Sequence, residues 1–313
     1  MVPAPEAPAG ITVVMPAYNE AGAIVQTLTA LQAVLSKIER ETELFVVDDG
    51  SSDETADLAR SAGATVIRHP TNGGYGCSLL TGIEAARFDT IVIVDADGTY
   101  PVASLPELLA VYDRGFDMVV GRRQGRHYEQ SVAKRTLRTV FRLLAEFACG
   151  CSILDINSGF RVFSRGPVLA ARASLSSGFS FTTTITLLFL LSHLFVGYVP
   201  IPYHQRVGAS KVRLVRDGLR SFQIIISAIA RFNPLKLYLL LLIVYWTGML
   251  ALLFAAGPGP FQATTSTALM FGWTTSCVIA ACAILAIAIG KSRSTEQVLV
   301  HRRSVKRPPA GAH

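Results

Sequence analysis

Tryptophan, cysteine and acidic charge are scarce in this 313-residue chain, and long stretches near its C-terminal end are almost empty of charge. The five cysteines (Cys77, Cys149, Cys151, Cys277 and Cys282) are odd in number and show no metal-ligand spacing. That argues against a structural zinc module and a disulfide framework, and for reduced thiols. The six histidines form no cluster and read as structural. Neither a G-x-G-x-x-G fingerprint nor a P-loop is found, which speaks against a dinucleotide enzyme or an NTPase. The first ten residues, MVPAPEAPAG, have no apolar core, so no secretory signal is expected. Lysine and arginine outnumber acids by 29 to 22, yet no aromatic-rich pattern interleaves with them, so nucleic acid is not the expected partner.

What is abundant is hydrophobicity: half of the residues are apolar and the mean hydropathy is +0.41. The excess lies in residues 235–256, whose one charge is Lys236, and in the uncharged residues 267–290. As helices these would run roughly 33–36 Å, enough to cross a bilayer. Two transmembrane helices are expected, although two buried core helices would read similarly. Residues 205–236 carry seven basic residues against Asp217, and residues 291–313 carry six against Glu296. The positive-inside rule then puts both ends of the hairpin, and everything N-terminal to it, in the cytoplasm. The basic excess reads as attraction to anionic headgroups.

From residue 11 onward, short apolar runs alternate with helical patterns. Strands are expected at 11–16, 43–49, 64–68, 90–95 and 117–121. A helical stripe joins Ile24, Leu28, Leu31, Leu35 and Ile38, and helices fit 53–62, 76–87 and 103–114. Strand then helix, repeated, indicates an α/β fold with a mostly parallel sheet covered on both faces. Farther on, Ala133, Leu137, Val140, Phe141 and Leu144 share a helix face beside basic Lys134, Arg138 and Arg142, which suits either a membrane surface or a solvated face. The boundaries expected are a flexible N-terminus (1–10), a cytoplasmic α/β domain (11–204), a basic amphipathic membrane-interface segment (205–234), the membrane hairpin (235–290) and a basic, disordered tail (291–313).

Three polar clusters follow strands directly: PAYNE (16–20), DDGSSDET (48–55) and DADGTY (95–100). In a parallel sheet, all three fall on one edge, where ligands of such folds bind. Asp95 and Asp97 would repel unless something positive stood between them. An isolated D-x-D could equally cap a helix, and DDGSSDET alone could be a helix N-cap. Their convergence favours ligand binding. The Gly-rich stretch 69–82 ahead of a helix suits close backbone approach to a ligand or phosphate.

The ordered set VVMPAYNE, VVDDGSSDET, NGGYG, VDADGTYP, GRR, DINSGFRVF and QRVGASK resembles family 2 glycosyltransferases of the GT-A fold, and within them the polyprenyl-phosphate mannose and glucose synthases, over residues 11 to about 220. The resemblance implies a Rossmann-like mixed sheet and inverting transfer of one hexose from UDP-glucose or GDP-mannose to a polyprenyl phosphate at the cytoplasmic membrane face. It implies Mg²⁺ or Mn²⁺ held by Asp97 directly and by Asp95 directly or through water, and a catalytic part for Asp97 and Asp155. Pro16, Ala17, Tyr18, Glu20, Asp48, Asp49, Gly74 and Asp95 match nucleotide-sugar positions. Arg122, Arg135, Thr139, Arg206, Ser210 and Lys211 match positions that hold the lipid phosphate.

Two points qualify the carry-over. Thr99 stands where mannosyl-transferring relatives often have a glutamine contacting the metal. The acceptor phosphate is already largely anionic at neutral pH, so Asp155 fits a positioning role, orienting Arg161 or a sugar hydroxyl, as well as that of a base. A processive polysaccharide synthase is the first rival; its Q-x-x-R-W motif is missing, both tryptophans lying in the hairpin. A membrane-tethered, non-catalytic nucleotide-sugar binder is the second. Homo-oligomerisation stays open.

Overall fold

The structure, a computed structural model, describes residues 10–125, 132–178, 180–205 and 214–232, with scattered positions between 236 and 281. At its centre is strand β1 (Ile11–Ala17), buried along its whole length, which accounts for an apolar run broken only by Thr12. It pairs in parallel with β2 (Thr42–Asp48) and with β4 (Thr90–Ile93), and β2 pairs with the short edge strand β3 (Thr65–Arg68). Beyond β4 the sheet continues through β6 (Arg161–Ser164), antiparallel to its neighbours, then β5 (Met118–Gln124) and β7 (Val196–Pro202), giving the order 3-2-1-4-6-5-7.

The five expected strands are present, and β6 and β7 extend the sheet into a mixed one. Neither addition reads as a strand by pattern. β6 is four residues long and opens on a fully buried arginine. β7 contains Pro200 and Pro202, which are exposed on a strand bonded on one side only, where a missing N–H costs nothing.

Helices α1 (Ile24–Leu35), α2 (Thr55–Ser61) and α4 (Leu105–Tyr112) cover one face, where Ile24, Leu28 and Leu31 pack with Val13, Met15 and Val92. Helices α3 (Tyr75–Ala85), α6 (Arg165–Ala170) and α7 (Phe181–Leu191) cover the other, where Leu79, Ile83 and Ile185 meet Val14, Ile91 and Ile93. Gly82 lets α3 lie against the sheet: a Cβ there would come within 2.3 Å of Val14 Cγ1.

A third apolar cluster lies beside this sandwich. Helix α5 (Val132–Cys149) packs on α7 and on α8 (Leu214–Phe232) through Ala145, Ala148, Leu187, Ile225 and Ile229. The apolar face expected on α5 is divided between packing and exposure. Phe141 and Leu144 do pack inward, but Val140 is exposed, together with Leu143 and Phe147 of the same helix and Leu219 and Phe222 of α8. The side chains of Ala133, Lys134, Leu137 and Arg138 lie outside the described residues.

Among the described residues, no helix is long and apolar enough to cross a membrane. The expected hairpin (235–290) lies outside the described residues except at scattered positions, and residues 1–9 and the tail (291–313) lie wholly outside them. Of those positions, Trp246 and Trp273, one from each expected span, have ring centroids 5.6 Å apart. Lys236 Nζ donates to the carbonyl of Phe147 at 2.7 Å, tying the start of the first span to the end of α5. Among the described residues, Cys77, Cys149, Cys151 and Cys277 form no disulfide.

Candidate functional site

The loops after β1 and β2 are fastened to each other. Asn19, in a left-handed conformation (φ 50°), receives the Ser52 N–H on its side-chain oxygen and donates its own N–H to Ser51 Oγ. The Glu20 N–H donates to Thr55 Oγ1 and the Ala21 N–H to Asp53. Pro16 and Ala17 are buried at the end of β1, while Tyr18 and Glu20 stand half-exposed beyond it. The register of β1 on β2 sets Ala17 opposite Asp48.

The two acids at the end of β2 do different things. Asp49 fixes the Gly-rich loop, its carboxylate accepting the N–H groups of Gly73 (2.9 Å) and Gly74 (2.8 Å) and that of His69 Nδ1 (2.7 Å). His69 Nε2 meets Thr81 Oγ1 at 2.9 Å. Asp48 accepts the Ser51 N–H on Oδ1, but its Oδ2 is buried with no hydrogen-bond partner. Arg68 Nε lies 3.1 Å from that oxygen, close enough for attraction between the charges but not aligned for a bond. An orphaned carboxylate oxygen at a strand end is a ready acceptor for a ligand N–H.

Asp95 and Asp97 stand just past β4. Asp97 is buried, and its Oδ1 accepts the N–H (3.1 Å) and hydroxyl (2.6 Å) of Thr99. Thr99 therefore orients the carboxylate. Asp95 Oδ1 accepts the hydroxyl of Tyr75 at 2.8 Å. Burial, with the Asp95 charge beside it, raises the Tyr75 phenol well above its ordinary range, so it stays a donor at neutral pH. Among the described residues, no group of three or more His, Cys, Asp or Glu is arranged to hold a metal ion. Two strand-end carboxylates nonetheless fit a hard divalent cation that takes its remaining oxygens from a bound diphosphate.

The loop between α5 and β6 contributes Asp155, and here one expectation is corrected. Asp155 does not bond Arg161; it grips Arg123 of β5 through two side-chain bonds of 2.9 Å each and accepts the Arg123 N–H at 3.2 Å. Arg161 instead bonds Ser158 O, Ile156 O and Thr186 Oγ1, bracing the loop from within. Burial alone would raise the Asp155 carboxyl, but the Arg123 charge and its hydrogen bonds outweigh that and hold it below the usual range. The Arg123 guanidinium also lies 5.4 Å over the Tyr203 ring, and Tyr203 packs edge-on against Tyr100.

Sequence reading missed Arg123, choosing Arg122 from the same GRR. Alternation along β5 separates them: Arg123 shares the side of Val119, and Arg122 that of Val120. Since Val119 and Val120 fall in opposite cores, that parity would have told the two arginines apart. Tyr75, Arg68 and Gly159 were likewise not singled out. Thr139 is exposed on α5, in the layer beside the sheet, and the Arg135 side chain lies outside the described residues, as do Arg206, Ser210 and Lys211.

Comparison with known proteins places these features in context. The model of Glycosyl transferase family 2 matches residues 12–169. The chain is 34% identical over 215 residues to a low-salt glycan biosynthesis hexosyltransferase, Agl6, of Haloferax volcanii, spanning 67% of this chain and 51% of that protein. It is 32% identical over 210 residues to a dolichyl-phosphate hexose transferase of the same organism, spanning 64% of this chain and 86% of the relative. The chain thus spans about half the length of the first of these relatives. Glucosyl-3-phosphoglycerate synthase from Mycobacterium tuberculosis, solved with Mn²⁺, UDP and glucosyl-3-phosphoglycerate, shares the fold with a TM-score of 0.56 at 23% identity, over 72% of this chain and 80% of that one.

Proposed function

The chain belongs to glycosyl transferase family 2, and we propose that it moves one hexose from a nucleotide-sugar onto a polyprenyl phosphate at a membrane surface. The observation that carries this reading is the Asp95 carboxylate, touched by Tyr75 of the Gly-rich loop on one side and by Gly159 of the Asp155 loop on the other. One strand-end edge thereby joins an acidic, cation-suited half to a half containing a partly buried arginine oriented by Asp155. The dolichyl-phosphate hexose transferase among the relatives supports a lipid-phosphate acceptor.

In this reading Asp48 Oδ2 accepts an N–H from the nucleobase, and Arg68 adds charge beside it. Asp95 and Asp97 would hold Mg²⁺ or Mn²⁺. The ion's chemistry is to offset the charge that grows on the departing nucleoside diphosphate. Arg123 presents positive charge to the acceptor, and Asp155 fixes where that charge sits. A lipid phosphate, with a second pKa of about 6, is already mostly ionised at neutral pH. Its oxygen attacks the anomeric carbon in line and inverts it, so an α-linked donor yields a β-linked product. Asp155, ionised and already gripped by Arg123, positions rather than deprotonates.

The membrane-facing part of the reading rests on the exposed apolar residues of α5 and α8, the Trp246–Trp273 contact between the two expected spans, and the basic flanks of 205–236 and 291–313. We read 235–290 as a transmembrane hairpin and the α/β domain (11–204), the interface segment (205–234) and both termini as cytoplasmic. The lipid-phosphate contacts assigned to Arg122, Arg135, Thr139, Arg206, Ser210 and Lys211 belong to this same proposal.

The test is to incubate the full chain with undecaprenyl phosphate and radiolabelled UDP-glucose or GDP-mannose, with and without EDTA. Label should enter the lipid fraction with one donor, and EDTA should stop it. Asp97→Ala should lower turnover by at least about a hundredfold, the scale of losing one strong transition-state charge contact. Undiminished transfer in that variant would remove the cation from the mechanism.

A further inference from the structure

Tyr75 begins α3, and its backbone is fixed before its side chain is considered. Gly74, with φ of 100°, gives its N–H to Asp49, and a Cβ at Gly74 would stand 2.7 Å from Ser177 O. The Cys77 N–H donates to that same carbonyl at 3.0 Å. From this anchored turn the Tyr75 ring packs against the core formed by Leu79, Phe181 and their neighbours. Its hydroxyl reaches a loop twenty residues away to meet Asp95 Oδ1.

The other side of Asp95 is closed by backbone. A Cβ at Gly159 would lie 2.6 Å from Asp95 Oδ2 and 2.7 Å from Oδ1, so only glycine leaves room for the carboxylate. Gly159 is held in turn, its N–H donating to Tyr100 Oη at 2.6 Å, with Tyr100 packed on Phe160 and Tyr203. Phenylalanine at position 75 would fill the same core volume. The hydroxyl is thus the part of Tyr75 whose partner is the first acid of the D-x-D.

We propose that Tyr75 is a positioning residue of the cation site, its hydroxyl setting Asp95 in the orientation that Gly159 leaves open. The inference rests on the reading that Asp95 and Asp97 bind a divalent cation. A neutral hydroxyl on one carboxylate oxygen fixes the rotamer without cancelling the charge, which is how partners behind a metal ligand raise affinity.

The experiment is a Mn²⁺ titration followed by electron paramagnetic resonance on the detergent-solubilised full chain, with UDP and GDP in separate series. Thermal unfolding of each variant is measured alongside. Tyr75→Phe should bind Mn²⁺ about tenfold more weakly, the lower end for losing a partner behind a metal ligand, with its melting midpoint unmoved. Gly159→Ala should weaken Mn²⁺ binding as well, by crowding the same carboxylate. Wild-type Mn²⁺ affinity in Tyr75→Phe, with binding lost in Asp97→Ala, would overturn this inference and leave the cation reading standing. Mn²⁺ binding that Asp97→Ala leaves intact would instead sink the cation reading. A Tyr75→Phe protein whose melting falls in step with its Mn²⁺ affinity would assign the hydroxyl to folding and overturn the proposal.

Discussion

At the scale of single residues, Asp155 and Arg123 show how a buried charge acquires a job. Asp155 is almost wholly buried, and the Arg123 side chain nearly so, yet two aligned bonds and a backbone N–H keep the carboxylate ionised. The lowered pKa fixes the sign of the linkage. The pair's stabilisation is present above the unfolded carboxyl's pKa and drains away as pH falls through the lower, folded value, so the loss belongs below about pH 4. Asp155→Ala removes the carboxylate partner of a largely buried guanidinium and should destabilise the protein by about 3 kcal/mol, read by chemical denaturation. Asp155→Asn should lower kcat/KM for the lipid acceptor while the acid limb of the pH–rate profile stays put. Loss of a limb between pH 5 and 7 in that variant would make Asp155 the base after all. The two aspartates of the D-x-D were readable in the sequence because they follow an apolar strand. The Arg123–Asp155 pairing was not, because 32 residues and a whole helix separate the partners.

At the scale of elements, the strands that run on apolar residues were readable and the two that break the pattern were not. In β1, β2 and β4 the inner residues (Val13–Met15, Val46–Val47 and Ile91–Ile93) are buried between the two helix layers, so they form continuous apolar runs. β6 contains Arg161, whose side chain turns inward to carbonyls and Thr186, a satisfaction that only tertiary structure reveals. β7 tolerates prolines because it is an edge. The closeness of α3 to β1 was likewise hidden, since Gly82 reads from sequence as a helix weakness, whereas in the fold it is the point of contact. Gly82→Ala should therefore destabilise by about 1–3 kcal/mol, the usual cost of overpacking, although alanine is the better helix former. A thermal or denaturant melt checks this, and a more stable variant would show that α3 can back away from the sheet.

At the scale of the whole molecule, a mixed α/β sandwich bears a strand-end site along one edge, and a separate apolar layer of α5, α7 and α8 lies beside it. In the proposed arrangement that layer meets the bilayer, so a lipid-anchored acceptor needs only to rise to the headgroup level while a soluble donor arrives from the water. The pairing of Trp246 with Trp273 has an optical consequence. These are the chain's two tryptophans, so its indole fluorescence arises entirely from the proposed hairpin and none of it from the α/β domain. Brominated phospholipids should dim that emission in vesicles and aqueous iodide should scarcely touch it; the reverse result would put the hairpin in water. In the proposed arrangement the two indoles are a built-in depth gauge, reporting where the hairpin sits and staying silent about the sugar site.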